Sequence, residues 1–435
     1  MSENENENAP RGSARHIESV PDLLRIRGLL QGRPARAGLS RRDALRAGGL
    51  TAAGLGLAAC GVSGAGKHTT VSKVQKQAQA FWAKQKKHGH VNFANWPLYI
   101  DTNHETLKMF TSATGITVTY KEVIQDDPSW FAKVDPEIRA GQYIGYDIAV
   151  ITDGFQWSDF VALGEFQPLD QKLMTNFYKY ASAKFQNRSF DPGNLYGMPW
   201  ASGSTGIAWN PKYIKEPISS INDLWNTKYA GHVGMMSDVQ EIGNFGLYKI
   251  GVAPEKSGPS DWQKAADALK AQKSAGIVRQ YYDQSYINAL AKGDTWITMA
   301  WSGDIFQQNL SSGTQLKFVV PKEGGNIWTD NMTIPKYAQN PVDAMMLMDW
   351  FYRPAIAARL TEAIEYIPPV PAARAIIASQ AAKATGSTKK TLEEVANSPL
   401  VWVSAADAAR LHNYVSPTGK LQQTFSSIFE PVVSG

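Results

Sequence analysis

From residue 91 onward, strand-like and helix-like segments alternate along this chain, and this order constrains the fold more than any other feature. Gly115 and Gly164 stand where two of the helical patterns stop, as glycines do at helix ends. Alternation of this kind is typical of a mostly parallel sheet with helices on both faces, so the sequence predicts an α/β fold. The first set comprises predicted strands at residues 91–94, 116–121 and 146–151 and predicted helices at residues 104–114, 130–139 and 155–163.

A second set of the same kind follows a run of small residues around Gly203. A chain of 435 residues exceeds what one hydrophobic core usually supports, so we expect the two sets to form two domains. The second set comprises predicted strands at residues 233–236, 277–281, 296–301, 316–320 and 332–334 and predicted helices from residue 239 and at residues 261–274, 341–351 and 355–364.

The basic charge of the chain is concentrated near its start. The net charge is +5, but residues 1–59 contain nine Arg and six acidic residues, so the rest of the chain carries only +2. It contains no cluster of Lys and Arg interleaved with aromatic residues, the pattern that binding to nucleic acid requires. Nucleic-acid binding is therefore set aside.

The N-terminal residues have the features of an export signal. Residues 1–38 are polar and lack periodicity, and residues 40–45, Ser-Arg-Arg-Asp-Ala-Leu, resemble the twin-arginine export motif. The apolar run at residues 47–59 is too short for a permanent membrane span and reads as a signal segment. It ends in Leu57-Ala58-Ala59-Cys60-Gly61, which resembles a bacterial lipobox, and Cys60 is the only cysteine. We expect residues 1–59 to be a leader, Cys60 to be lipidated, and residues 60–90 to be a tether.

Acidic, aromatic and hydroxyl residues follow the predicted strands, and ligands of α/β proteins bind beyond the carboxyl ends of strands. Asp238 and Glu241 are three residues apart, which places both carboxylates on one face of a helix. The same positions also fit helix capping, since Ser237 and Gln240 form a capping-box pattern, and both interpretations stay open. The candidates of this kind are Trp96, Tyr99, Thr152, Asp153, Asp238, Glu241 and Asp304.

Several segments together resemble one known family, the polyamine-binding (spermidine/putrescine) proteins of ABC importers. The resemblance covers roughly residues 91–374 and continues more weakly to the C-terminus. It departs from the family at Pro97, where a small hydroxyl residue is usual, and near Gly154, where the expected aromatic residue is absent unless Phe155 supplies it. The segments that carry it are residues 95–99, 146–150, 190–199, 223–229, 299–304 and 321–325.

The resemblance implies roles for individual residues. Trp96 and Tyr99 would form part of an aromatic box, and Asp238 and Glu241 would face the ligand. Trp301 and Trp328 would flank the methylene chain of a polyamine, and Asp304, Asp330 and Tyr366 would bind its ammonium groups. Carboxylates accept hydrogen bonds from such ammonium groups, and aromatic faces attract cations. Asp153 has no family role.

The resemblance also implies a fold of two α/β lobes around a ligand cleft, which the chain crosses three times. The expected crossings lie near Gly203, Trp328 and Arg374. Lobe 1 would then contain residues 91–202 and 329–374, and lobe 2 residues 203–328 and 375–435.

The expected function is that of the substrate-binding component of an ABC importer. Such a protein captures spermidine or putrescine by cleft closure and delivers it to a membrane permease. We expect an exported monomer, lipid-anchored on the outer face of the cell membrane, without a cofactor or metal.

Two other classes of function share some of these features. Tyr281 and Tyr282 form a dipeptide that ferric-ion-binding relatives also show, although adjacent strand residues point in opposite directions. Paired carboxylates such as Asp238 and Glu241 also suit an acid–base enzyme. However, no His-Glu-x-x-His or Gly-x-Ser-x-Gly motif accompanies them, and we expect the protein not to be an enzyme.

Overall fold

A computed structural model describes residues 71–434 of the chain. The predicted leader, the twin-arginine motif, Cys60 and most of the tether lie outside the described residues. The strands are β1 His90–Asn95, β2 Thr117–Glu122, β3 Ile148–Thr152, β4 Gly197–Trp209, β5 Val233–Met236, β6 Val278–Tyr282, β7 Ile297–Trp301, β8 Lys317–Val319, β9 Gly325–Thr333 and β10 Leu411–His412.

The helices lie between and after these strands, and short 3-10 turns join some of them. They are α1 Val71–Trp82, α2 Glu105–Thr114, α3 Asp127–Arg139, α4 Phe155–Leu163, α5 Thr175–Tyr180, α6 Val239–Lys249, α7 Pro259–Ser274, α8 Tyr286–Lys292, α9 Ser302–Ser312, α10 Pro341–Trp350, α11 Pro354–Ile364, α12 Ala373–Lys383, α13 Gly386–Asn397, α14 Ala405–Ala408 and α15 Lys420–Ser434.

The strands form one mixed sheet in the order β2-β1-β3-β9-β4-β7-β5-β6, with β10 beside β9 and β8 beside β4. The outer strands of each half are parallel, as the alternation of strands and helices predicts. The long strands β4 and β9 instead pair antiparallel with each other and with β3 and β7. In the strand order, β9 and β4 lie between the two parallel sets and link them.

Residue type explains where the predicted helices end. Gly115 and Gly164 follow α2 and α4 with φ of 72° and 66°, a left-handed conformation that favours glycine. In the first lobe the apolar residues alternate between the two faces of the sheet. Phe93 and Val150 pack into one core cluster, whereas Ala149 and Ile151 pack into another on the opposite face.

The second lobe has its own core around β5, β6 and β7. Gly203 and Trp328, near which two of the crossings are expected, lie in β4 and β9 and pair directly with each other. Gly203 is required there because a Cβ at this position would clash with the indole ring of Trp328.

The predicted position of the third crossing, near Arg374, is wrong. The apolar residues that follow Arg374 still pack in the first lobe, and these include Ile377 of α12, Val395 of α13 and Val401. The second core is reached at Val415 and is then filled by α15. The crossing therefore lies between Val401 and Val415, and residues 375–401 belong to lobe 1 because their apolar side chains are buried there.

Among residues 71–434, no helix has both the length and the apolar character that crossing a membrane requires.

Candidate functional site

The candidate residues lie where strands end or where the long strands pass between the lobes. Tyr99 follows β1, Thr152 ends β3, and Trp301 ends β7. Asp304 is in the first turn of α9, and Tyr366 follows α11. Trp328 and Asp330 lie within β9 itself. The residues that follow or end strands agree with the rule that ligands of α/β sheets bind at the carboxyl ends of strands.

Asp330 is a buried carboxylate that accepts one hydrogen bond on each oxygen. Tyr99 donates its hydroxyl to Oδ2 at 2.5 Å, and Thr152 donates its hydroxyl to Oδ1 at 2.7 Å. Thr152 is placed there by the register of the sheet, since it pairs with Asp330 between β3 and β9. Burial raises the pKa of Asp330 to about 6, although both hydrogen bonds act to lower it.

Asp304 is 4% exposed and is held by two tyrosines from different lobes. Tyr286, the first residue of α8, donates its hydroxyl to Oδ2 at 2.8 Å, and Tyr366 donates to Oδ1 at 2.9 Å. The side-chain amide of Gln284 lies within 3.3 Å of Oδ1. Tyr286 also accepts a hydrogen bond from the backbone N–H of Trp301, which fixes the end of β7 beside this carboxylate.

Glu241 is 1% exposed and is surrounded by hydrogen-bond donors. Burial and the neighbouring Asp238 raise its pKa to about 7, against the effect of these hydrogen bonds. Oε1 accepts from the Thr205 hydroxyl at 2.7 Å, the Trp301 indole at 2.8 Å and the Tyr414 hydroxyl at 2.9 Å, and Oε2 accepts from the Asn326 amide at 2.5 Å.

A row of aromatic rings connects the three carboxylates. Tyr99 contacts Tyr366 edge-on with ring centroids 5.7 Å apart, and Tyr366 contacts Trp328 at 5.5 Å. Trp328 in turn contacts Trp301 at 6.2 Å. Three of these rings donate hydrogen bonds to the carboxylates: Tyr99 to Asp330, Tyr366 to Asp304 and Trp301 to Glu241. We call these four rings the aromatic row.

The charge balance of this site is unusual. In the part of the chain that the structure describes, no Lys, Arg or His forms an ion pair with Asp330 or Glu241. Both carboxylates are stabilised by neutral donors alone, and a buried charge without a partner is costly. Their raised pKa values reflect this cost.

Asp238 has the capping role that the sequence left open. Its Oδ1 accepts from the backbone N–H groups of Gln240 and Glu241 at 2.8 and 3.0 Å, and it is the N-cap of α6. The capping-box pattern pointed to Ser237 as the N-cap. The structure shows instead that Asp238 is the N-cap. The side chain of Asp238 is exposed, whereas Glu241 one turn later is buried.

Trp96 and Asp153 make mainly structural contacts. The indole N–H of Trp96 donates to the backbone oxygen of Val150 at 3.1 Å, and its ring packs against the cores of the first lobe. Asp153, which the resemblance left without a role, accepts the backbone N–H of Thr329 at 2.6 Å. It therefore anchors β9 next to Asp330. Burial raises the pKa of Asp153 to about 7.

The two tyrosines of the dipeptide that ferric-ion-binding relatives also show lie in different surroundings. Tyr282 is buried in the core of the second lobe, and Tyr281 lies beneath the ammonium of Lys273. Within residues 71–434, no group of three or more His, Cys, Asp or Glu side chains is placed to hold a metal ion.

The profile of the bacterial extracellular solute-binding protein family matches residues 105–387, which is more than half of the chain. The chain belongs to this family. This solute-binding protein is 30% identical over 291 residues to the spermidine/putrescine-binding periplasmic protein of Salmonella typhimurium, covering 67% of this chain and 80% of the relative. It is 26% identical over 359 residues to the putrescine-binding periplasmic protein SpuD of Pseudomonas aeruginosa, covering 78% of this chain and 91% of the relative.

Solved structures show the same fold. The spermidine/putrescine ABC transporter substrate-binding protein PotD of Streptococcus pneumoniae superposes with a TM-score of 0.66 at 23% identity, covering 79% of this chain and 98% of that one. The Tp0655 lipoprotein of Treponema pallidum gives a TM-score of 0.64 at 19% identity, covering 79% and 99%. These findings confirm the predicted family and the two-lobed α/β fold of this solute-binding protein. The family consists of transport components and is not a family of enzymes.

Sequence reasoning did not identify several residues of the site in this solute-binding protein. Asn326 directly follows the segment 321–325 that carried part of the resemblance, so its position offered a signal. Tyr286 begins α8, a helix that was not predicted, and Tyr414 lies beyond the region of strong resemblance. Thr205 lies within the small-residue run that was interpreted only as a crossing.

Proposed function

We propose that this solute-binding protein is the polyamine-binding component of an ABC importer and that its ligand is spermidine or putrescine. The names of the relatives in Salmonella typhimurium and Pseudomonas aeruginosa support this ligand class. The family is one of extracellular proteins, which supports export of this chain.

The observation that carries the proposal is the environment of Asp330. This carboxylate is 5% exposed, accepts only from Tyr99 and Thr152, and has no cationic partner within the described residues. A ligand ammonium would supply that positive charge together with three N–H donors. Charge-assisted hydrogen bonds of this kind are about twice as strong as neutral ones.

The aromatic row suits the rest of a polyamine. Trp301 and Trp328 would flank the methylene chain, while Tyr366 and Asp304 would receive the second ammonium group. Each cation placed over an aromatic face gains about 0.5 to 2 kcal/mol. A ligand with charged ends and an apolar middle therefore fits carboxylates that are separated by aromatic rings.

Ligand binding would favour the closed form of the cleft. Asp330 lies in the part of β9 that pairs with lobe 1, and Asp304 follows β7 of lobe 2. Closing the lobes without a cation would desolvate carboxylates at a cost of several kcal/mol each. A bound diamine removes that cost and would link the lobes, so that the closed form presents the ligand to a permease.

Calorimetric titration of the purified protein tests this function. We expect saturable binding of putrescine and spermidine, and much weaker binding of butylamine, a control that has one ammonium group and a similar chain. No heat with either polyamine, or an absorbance band on adding ferric citrate, would contradict the proposal.

We further propose that the protein is exported through its twin-arginine signal, anchored by a lipid on Cys60, and active as a monomer beside its permease. The lipobox pattern at residues 57–61 supports the anchor. We expect Cys60→Ala to leave a ligand-competent protein that appears in detergent-free fractions. The same amount of variant and wild type in those fractions would contradict lipidation.

A further inference from the structure

Asp127, the first residue of α3, lies next to Asp330 although no sequence motif marks it. The backbone N–H of Thr152 donates to Oδ2 of Asp127 at 3.3 Å. The hydroxyl of the same threonine donates to Oδ1 of Asp330 at 2.7 Å. One residue at the end of β3 therefore holds two carboxylates, one from α3 and one from β9.

Helix capping does not explain Asp127, because its neighbour already caps α3. Asp126 is the N-cap and accepts the backbone N–H of Ser129 at 2.8 Å and its hydroxyl at 2.7 Å. Oδ1 of Asp127 is buried and has no hydrogen-bond partner. Within residues 71–434 no Lys, Arg or His forms an ion pair with it. A buried acceptor of this kind in a native protein calls for a missing donor.

The electrostatics of Asp127 agree with this geometry. Burial raises the pKa of Asp127 well above its usual value, and the charges of Asp330 and, less strongly, Asp238 raise it further. The hydrogen bond from the backbone N–H of Thr152 acts in the opposite direction. Two carboxylates this close cannot both ionise cheaply unless a cation lies near them.

We propose that Asp127 is a further ligand-binding residue, which with Asp330 holds one terminal ammonium group of the ligand. This inference rests on the proposed polyamine-binding function. A primary ammonium carries a full charge and three N–H donors, enough for both carboxylates. An acylated amine offers a single N–H and no charge, so this end of the site selects for a free ammonium group.

The test compares two substitutions that remove the same charge from adjacent positions. Asp127→Asn removes the carboxylate that we assign to the ligand and keeps the size of the side chain. Asp126→Asn is the matched control, because asparagine caps helices as well as aspartate does. Both full-length variants are titrated calorimetrically with putrescine and spermidine, in buffers of different ionisation enthalpy so that released protons are counted. Thermal unfolding without ligand reports whether each variant is folded.

We expect Asp127→Asn to weaken putrescine binding at least about tenfold, which corresponds to about 1.4 kcal/mol. It should also reduce the number of protons released on binding, whereas Asp126→Asn should stay within about twofold of wild type. Equal affinity of Asp127→Asn and wild type, or an equal loss in both variants, would overturn the assignment. If wild type binds neither polyamine, the proposed function itself fails, and that result is distinct from unchanged binding by Asp127→Asn.

Discussion

Asp330 and Glu241 are both buried carboxylates with raised pKa values, yet their surroundings differ. An ionised carboxylate has about four acceptor sites. Asp330 uses one on each oxygen, for Tyr99 and Thr152. Glu241 already has four donors, three of them on Oε1. Burial alone therefore does not mark a ligand-binding acid, since the number of unused acceptor sites also matters.

From this difference we infer separate roles for the two ends of the aromatic row. Asp330 has acceptor capacity left for an incoming ammonium, and Asp127 beside it has an unused buried oxygen. Glu241 instead fixes the indole of Trp301 by the hydrogen bond to its Nε1. We therefore expect Asp330 to contact the ligand directly and Glu241 to act largely by positioning Trp301.

The strongest test of this difference is the removal of a ligand carboxylate. Asp330→Ala or Asp304→Ala should weaken polyamine binding by about 2 to 5 kcal/mol, the usual loss when one partner of a buried charge pair is removed. Calorimetric titration measures the loss, and circular dichroism checks that both variants fold. Unchanged affinity in both would rule out the assigned site.

The pH dependence of binding should be the next largest effect. Burial raises the pKa of Asp330 from 3.8 to about 6 and that of Glu241 from 4.5 to about 7. An ammonium ligand binds the ionised forms, so its affinity should rise as the pH passes through this range. We expect binding at least about tenfold tighter at pH 8 than at pH 5, equivalent to one pKa unit.

The stability of the ligand-free protein should change in the opposite direction. A carboxyl with a raised pKa binds protons more tightly in the folded than in the unfolded protein. Its contribution is therefore complete below about pH 4 and is lost as the pH rises through about 6 to 7. Thermal unfolding with and without spermidine measures both trends, and a gap between the two curves that shrinks with rising pH would contradict the charge argument.

Glu241→Gln should have a smaller effect on binding than Asp330→Ala. The variant keeps an acceptor for Trp301 and loses one charge, for which we expect about 1 kcal/mol of affinity. It should also lower the unfolding temperature, because an amide group would meet the Asn326 amide that now donates to Oε2. A loss as large as that of Asp330→Ala would show that the two carboxylates do not differ in role.

The preference between ligands should be the smallest effect. Asp330, Asp127 and Asp304 together offer more negative charge than a diamine can balance, and each uncompensated buried acid is costly. We expect spermidine to bind better than putrescine by about 1 kcal/mol, a factor of roughly five. In a competition experiment, displacement of spermidine by an equal or lower concentration of putrescine would contradict this expectation.

Much of the fold follows from local sequence signals. The alternation of strands and helices gives the two α/β sets, and Gly115 and Gly164 end their helices where the sequence predicts. The third crossing was wrong because local periodicity shows that α12 and α13 have apolar faces but not which core receives them. The local sequences around Ile377 and Val395 are compatible with packing on either lobe. Tertiary contacts determine which lobe receives these side chains.

The site could be predicted residue by residue only in part. Residues that follow strands were found because the ends of parallel strands converge, and the resemblance supplied Trp328, Asp330 and Tyr366. The partners of the carboxylates depend on sheet register and on distant segments. Thr152 lies 178 residues from Asp330, and Tyr414 lies 173 residues from Glu241, so no local pattern joins them.

A crystal structure of the protein with bound spermidine would test the central claim most directly. We expect an ammonium nitrogen about 2.7 to 2.9 Å from Oδ1 or Oδ2 of Asp330, with the methylene chain between Trp301 and Trp328. Glu241 should keep its hydrogen bond to the indole of Trp301. A ligand bound elsewhere, or one whose nitrogens contact Glu241 while Asp330 stays bonded only to Tyr99 and Thr152, would contradict the account.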